Sequence, residues 1–281
     1  MIDFKSEVLK IKDQMIEDIK NLCAIPSTQD DSTIAEFAPF GKANRQALDA
    51  MLEIGKRDGF DVEDVDGYAG HIDIGEGDET FGILGHLDVV PVNEVGWDSD
   101  PFNVIIKDDK LYGRGVADDK GPLLAGYYAA KIINSLNIPT KMKIRVIFGC
   151  NEELGSSCVK YYFTKKPYPK MGFTPDASFP VVYGEKAGCG FNIEGHVEKG
   201  GLIYLCAGNR PNIVPETCEA VITGNYKQYV DSYRKFLNAN NLVGEIEEEG
   251  NHTKLILKGK SAHASTPDEG INAIIFLCKY L

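Results

Sequence analysis

The stretch Phe81-Gly-Ile-Leu-Gly-His-Leu-Asp88 decides the fold. Residues 81–85 are short, apolar and continuous, the pattern of a strand buried on both faces rather than one that alternates toward solvent. The strand runs straight into a histidine and an aspartate. A second run of this kind, Met142-Lys-Ile-Arg-Val-Ile-Phe148, leads into Gly149-Cys-Asn-Glu-Glu153. Between the two, residues 120–136 read as a helix with small residues, Ala125 and Ala129, on its packing face. Strand, helix and strand in this order predict a βαβ unit, hence an α/β fold whose mostly parallel sheet is flanked by helices.

Working outward, Phe4, Val8, Ile11, Met15, Ile19 and Leu22 recur at three- and four-residue spacing and predict an amphipathic first helix over residues 4–23. Lys42, Ala47, Met51 and Ile54 predict a second over about 42–57, and another follows at about 155–164. Beyond about residue 187 the texture changes. FNIEGHVEKGG, GLIYLCAG and CEAVITG are strand-like, a helix is expected at about 226–239, and EIEEEGNHTKLILKG reads as a hairpin. The expected organisation is a first domain over residues 1–187 and a smaller α+β domain over 188–281.

The chain has 281 residues and a formal net charge of −12, from 30 basic and 42 acidic side chains. That balance argues against nucleic acid or an anionic membrane as partner, since both reward an excess of Lys and Arg. No apolar run reaches the length of a membrane span, and the N-terminus lacks the apolar core of a signal peptide. Seven scattered cysteines without a CxxC pair point to neither a disulfide framework nor a thiolate zinc site, so a reducing cytoplasm is expected.

In sheets of this kind ligands bind beyond the carboxyl ends of the strands. There the chain offers His86 and Asp88, then Glu152 and Glu153, with Asp118-Asp119 opening the helix between them and Asp176 in a following loop. Imidazole nitrogen with carboxylate oxygen suits zinc, manganese or cobalt, and several carboxylates with few histidines suit a two-metal site. Each piece alone has a plainer reading: a loop histidine, a solvated Glu-Glu pair, an Asp-Asp helix cap. Their coincidence at strand ends favours the metal. GRGVADDKG lacks the spacing of a phosphate loop, and no GxSxG elbow is present, which excludes two other chemistries.

GHLDVVP (85–91), GRGVADDKGP (113–122), NEELGS (151–156) and GFTPDASFPVVYGEKA (172–187), in this order, resemble the M20 family of metallopeptidases and most closely its PepV-type dipeptidase branch. The resemblance implies two zinc ions. His86 and Asp176 would bind one, Glu153 the other, and Asp118 would bridge them across a cis peptide to Asp119. Glu152 would be the general base acting on a metal-bridging water, with Asp88 orienting His86. In the second domain, taken as a lid, His263 would stabilise the tetrahedral oxyanion and bind substrate, and Asn212 would also bind substrate. His71, His196 and His252 correspond to nothing in the family. The implied partner is a dipeptide and the implied state a monomer at full length. The alternatives are another amide hydrolase of the family, an aminoacylase or carboxypeptidase, or a non-catalytic fragment. A further zinc-binding histidine and a substrate-gripping arginine of the family have no counterpart here. The expectation is therefore that a polypeptide ending at Leu281 binds metal poorly and has little activity.

Overall fold

A computed structural model describes residues 2–92, 97–178, 180–184, 190–196, 200–208 and 212–281. The chain divides into two compact units, Met1–Gly184 and Glu185–Leu281. The boundary expected at Ala187 lies outside the described residues, as does Cys189.

The first unit begins with α1 (Phe4–Cys23) and α2 (Lys42–Arg57), as their spacing predicts. Strands β1 (Asp61–Val65), β2 (Ala69–Ile74) and β3 (Thr80–His86) follow, then a small hairpin, β4 (Ile105–Lys107) and β5 (Lys110–Tyr112). Next come α3 (Lys120–Ser135), β6 (Lys143–Gly149), α4 (Ser157–Lys165) and β7 (Met171–Phe173). Five strands form one sheet in the order β1-β2-β6-β3-β7. β3 pairs in parallel with both β6 and β7, whereas β2 runs antiparallel to β6 and β1. Four of the five strands therefore point the same way, and β2 alone is reversed.

Alternation along the central strands explains their continuous apolar runs. Ile72 and Ile74 of β2, Ile83 of β3, and Ile144, Val146 and Phe148 of β6 face the core built with α1, α2 and α3. Ala69, Leu84 and Ile147, offset by one residue, face the opposite side and pack with Tyr162 of α4. Both faces are covered, so both parities are apolar.

The helices on the first face are tied by a polar network. Arg57 grips the Asp18 carboxylate with two bonds of 2.7 and 2.8 Å, and the Tyr128 hydroxyl donates to the same carboxylate at 2.5 Å. Tyr127 and Lys131 both donate to Asp58, at 2.6 and 2.7 Å. Lys120 is fully buried at the start of α3, and its ammonium donates to the carbonyls of Leu22 (3.0 Å) and Ile25 (2.8 Å), where α1 ends. It satisfies carbonyls at a helix terminus and fixes the first turn of α3 against α1. Burial pulls the Lys120 pKa down to about 8. Replacing Lys120 with Met keeps the bulk but strands both carbonyls. We expect a destabilisation of the first unit by roughly 1–3 kcal/mol, read in urea titrations from the fluorescence of Trp97, the single tryptophan of the chain.

In the second unit, β8 (Leu202–Ala207), β9 (Thr217–Thr223), β10 (Val243–Glu249) and β11 (His252–Lys258) form an antiparallel sheet in the order β10-β11-β9-β8. The predicted hairpin is β10–β11. Glu249 pairs with His252, and the intervening turn opens on Gly250 at φ +61°, a conformation favouring glycine there. Helices α5 (Tyr226–Ala239) and α6 (Ala273–Tyr280) cover one face through Tyr233, Leu237, Ala273 and Leu277.

One sequence reading needs correction. Residues 191–196, strand-like in composition, form no strand. They pair with no neighbour among the described residues, and Phe191 and Ile193 are exposed. The β1–β2 hairpin carries too many acidic residues and glycines to read as strand locally, yet β2 sits inside the sheet because its even positions fill the core.

Candidate metal centre

Because β6, β3 and β7 are adjacent and parallel, their carboxyl ends lie side by side. β3 delivers His86 and then Asp88, β6 leads into Asn151, Glu152 and Glu153, and β7 precedes Asp176. The Asp118–Asp119 pair at the start of α3 completes the ring, and the peptide between the two aspartates is cis.

One imidazole nitrogen and two carboxylate oxygens, from His86, Asp118 and Asp176, lie within 4.8 Å of one another. The hydrogen bonds determine what these atoms present. The Nδ1 atom of buried His86 lies 2.9 Å from the Asp88 carbonyl oxygen, which can only accept, so Nδ1 carries a proton. Nε2 then faces Asp118 Oδ1 at 3.0 Å and Asp176 Oδ2 at 3.4 Å. In a neutral ring these are three lone-pair donors converging on one point, and only a cation reconciles them. A proton can take that role. Burial alone would lower the His86 pKa, but the bonds to Asp118, Asp176 and Asp88 overcome it and hold the imidazolium well above the ordinary histidine range. A divalent ion fits the same donor set and answers its charge more fully.

The surrounding carboxyls carry the same signature. Burial first, then repulsion from Asp118, pushes the Glu153 pKa up to about 7. Burial also raises Asp119 to about 7, with Asp176 and Asp118 adding to the rise. Glu152 is raised too, by burial and by Asp88, Asp176 and Asp118. Negative charge is thus concentrated beyond what the protein's own cations compensate.

The structure brings together three of the four expected metal ligands, and Glu153 lies beside them without belonging to that close group. Asp88 contacts His86 through its carbonyl oxygen, with its carboxylate 3.4 Å from Nδ1. The carboxylate's shorter bonds go elsewhere: Oδ1 accepts from the Glu152 amide at 2.9 Å and Oδ2 from the Glu153 amide at 3.0 Å. One buried aspartate therefore sets both the histidine and the Glu-Glu turn.

Three contributors were not legible as such. Asp119 is fully buried; its Oδ2 accepts the His86 backbone amide at 3.0 Å, while its Oδ1 is buried with no hydrogen-bond partner among the described residues. The site has room for it only because residue 85 is glycine, where a Cβ would stand 2.4 Å from Asp119 Oδ2. Asn151 shapes the Glu-Glu turn by accepting from the amide and hydroxyl of Ser157 and donating to Gln29 at 2.6 Å. Ser27 anchors the segment after His86: its hydroxyl donates to Leu87 and its carbonyl accepts from Val89. The second Asp of an Asp-Asp pair and the Asn before Glu-Glu were the available sequence signals.

In the second unit, two residues 51 positions apart meet. The Ala264 amide donates to the Asn212 carbonyl at 2.8 Å, and Ile213 bridges His263, so Asn212 and His263 stand on neighbouring chain segments. Of the unassigned histidines, buried His71 contacts the Tyr162 hydroxyl at 3.1 Å, and burial, then Arg145, lowers its pKa to about 4. That describes a core histidine.

Comparison with known proteins bears directly on this arrangement. The sequence profile described as Peptidase family M20/M25/M40 matches residues 82–269. Two curated relatives cover essentially the whole chain. "Putative dipeptidase" of Staphylococcus epidermidis is 40% identical over 99% of this chain and 61% of its own length. "Putative dipeptidase YtjP" of Bacillus subtilis is 38% identical over 100% of this chain and 62% of its own. The chain thus spans about three fifths of the length of these relatives. Among solved structures, human carnosine dipeptidase 1 aligns over 57% of this chain and 36% of its own, at 26% identity and a TM-score of 0.48.

Proposed function

The chain belongs to peptidase family M20/M25/M40, and from that premise we propose that the protein hydrolyses dipeptides with the help of divalent metal, zinc foremost, with manganese or cobalt as substitutes. The observation that carries this reading is the convergence of His86 Nε2, Asp118 and Asp176 on one point that requires a cation. His86, Asp118, Asp176 and Glu153 would hold one or two ions. When bound, such ions polarise a carbonyl and make hydroxide available near neutral pH.

The chain's own groups do the rest. Glu152 lies beside the cluster and outside the close ligand group, which suits a proton carrier rather than a ligand. It takes a proton from the attacking water and returns it to the departing amine, since an amine leaves poorly as an anion. Asp88 keeps that carboxylate in place through the amide of Glu152 itself. Asn212 and His263 supply substrate contacts, with His263 donating to the oxyanion. The names of the two curated relatives support the dipeptide as substrate.

Among the described residues no helix is long and apolar enough to cross a membrane. The described cysteines are free thiols. Free thiols fit our placement of the protein in the cytoplasm.

The test is a panel of unblocked dipeptides set against N-acyl amino acids, run on the full-length protein before and after chelation. We expect dipeptide hydrolysis that is lost on chelation and restored by zinc. Hydrolysis of the N-acyl compounds alone would reject the dipeptide and favour an aminoacylase. Turnover that survives complete metal removal would reject the whole reading.

A further inference from the structure

His263 sits in a loop that is closed at its base and stapled along its length. Lys260 and Ile271 exchange two backbone hydrogen bonds, at 2.9 and 3.0 Å, which shut the loop over residues 261–270. Inside it, the Val214 amide donates to Ala262 and the Ala264 amide donates to Asn212, so bonds to the 212–214 segment flank the histidine on both sides. The His263 carbonyl accepts from the Thr266 amide at 3.0 Å. The backbone of an exposed residue is therefore held from several directions, which is unusual investment for a surface loop.

The ring is held as well. Two groups of Ser265 converge on Nδ1: the hydroxyl at 2.7 Å and the backbone amide at 3.2 Å. A backbone amide can only donate, so Nδ1 is the accepting nitrogen. A neutral imidazole has one accepting and one donating nitrogen, and the proton accordingly resides on Nε2. Among the described residues no hydrogen bond is formed by Nε2, so none of them takes up this N–H.

We infer that Ser265 is a positioning residue that fixes His263 as its Nε2–H tautomer, so that the ring offers an N–H donor to an anionic oxygen of the substrate. The inference deepens the function proposed above and rests on it for the identity of the oxygen. An N–H donor fixed before the substrate arrives loses no orientation freedom during the reaction, and an oxyanion site works in this way. The opposite tautomer would present a lone pair to a developing negative charge and repel it. The hydroxyl, at the shorter distance, is the stronger of the two restraints. Removing it leaves the weaker amide contact to hold the ring.

Side-chain nitrogen NMR of the five histidines on the 281-residue chain without substrate decides the matter, with His263 assigned through His263→Gln. We expect Nε2 protonated and Nδ1 bare in the parent, a mixture of tautomers in Ser265→Ala, and the parental pattern again in Ser265→Thr. An Nδ1–H ring in the parent, or a pattern that Ser265→Ala leaves untouched, overturns the inference. In turnover, Ser265→Ala should lower kcat roughly tenfold with little change in KM, and Ser265→Thr should recover it. A loss confined to KM overturns the positioning role. Failure of the proposed function looks different: the expected tautomer would be seen, but no peptide would be hydrolysed.

Discussion

Glu152→Gln should abolish dipeptide turnover, by roughly 10²–10⁴-fold, while leaving the metal content of the protein unchanged. The amide has nearly the shape of the carboxylate, so packing at the end of β6 is preserved. The Glu152 backbone amide that bonds to Asp88 is untouched, and the close ligand group does not include this side chain. Only the capacity to accept and return a proton is removed. Turnover and metal stoichiometry measured on the same preparation separate the outcomes. Loss of metal together with activity would show that Glu152 is a ligand. Parental turnover would assign the base to another group.

Asp88→Asn is expected to have the second large effect, and of a different kind. Asp88 is almost fully buried, and its two carboxylate oxygens serve two successive amides. An asparagine offers one accepting oxygen and one donating nitrogen, so one buried amide must face another donor. The unsatisfied pair should cost about 1–3 kcal/mol of stability in the first unit, visible as a lower urea midpoint in Trp97 fluorescence. Because the Glu-Glu turn is no longer pinned, metal affinity should fall roughly 10–100-fold. Competition with a chromogenic chelator measures this directly. Unchanged affinity would mean that the carbonyl contact to His86, which the substitution preserves, is sufficient on its own.

The two variants separate what a residue does from what places it. In the proposed mechanism Glu152 acts at its carboxylate, whereas Asp88 acts through the positions it imposes on His86, Glu152 and Glu153. The Ser265→Ala variant asks the same question in the second unit, where a serine sets the donor face of a histidine.

Much of the first unit was legible in the sequence because its information is local. Continuous apolar runs at 81–85 and 142–148 announce strands buried on both faces, and the helical spacing of 4–23 and 42–57 matches α1 and α2. Titratable residues immediately after those strands locate the site, since parallel neighbours must end on one side of a sheet. His86, Asp118 and Asp176 follow from that rule together with the family resemblance, and the structure draws them into one group.

What the sequence could not determine are the pairings between distant segments, because periodicity carries no record of which segment lies alongside which. Glu152 and Glu153 are 64 and 65 residues from the carboxylate that holds them. The acidic β1–β2 hairpin joins the sheet through its register with β6, not through its own composition. Asn212 and His263 become neighbours only when the loop closed by Lys260 and Ile271 is laid against residues 212–214. Residue types in the sequence determine which chemistry is available, and the tertiary hydrogen bonds decide which atom of each residue is left free to perform it.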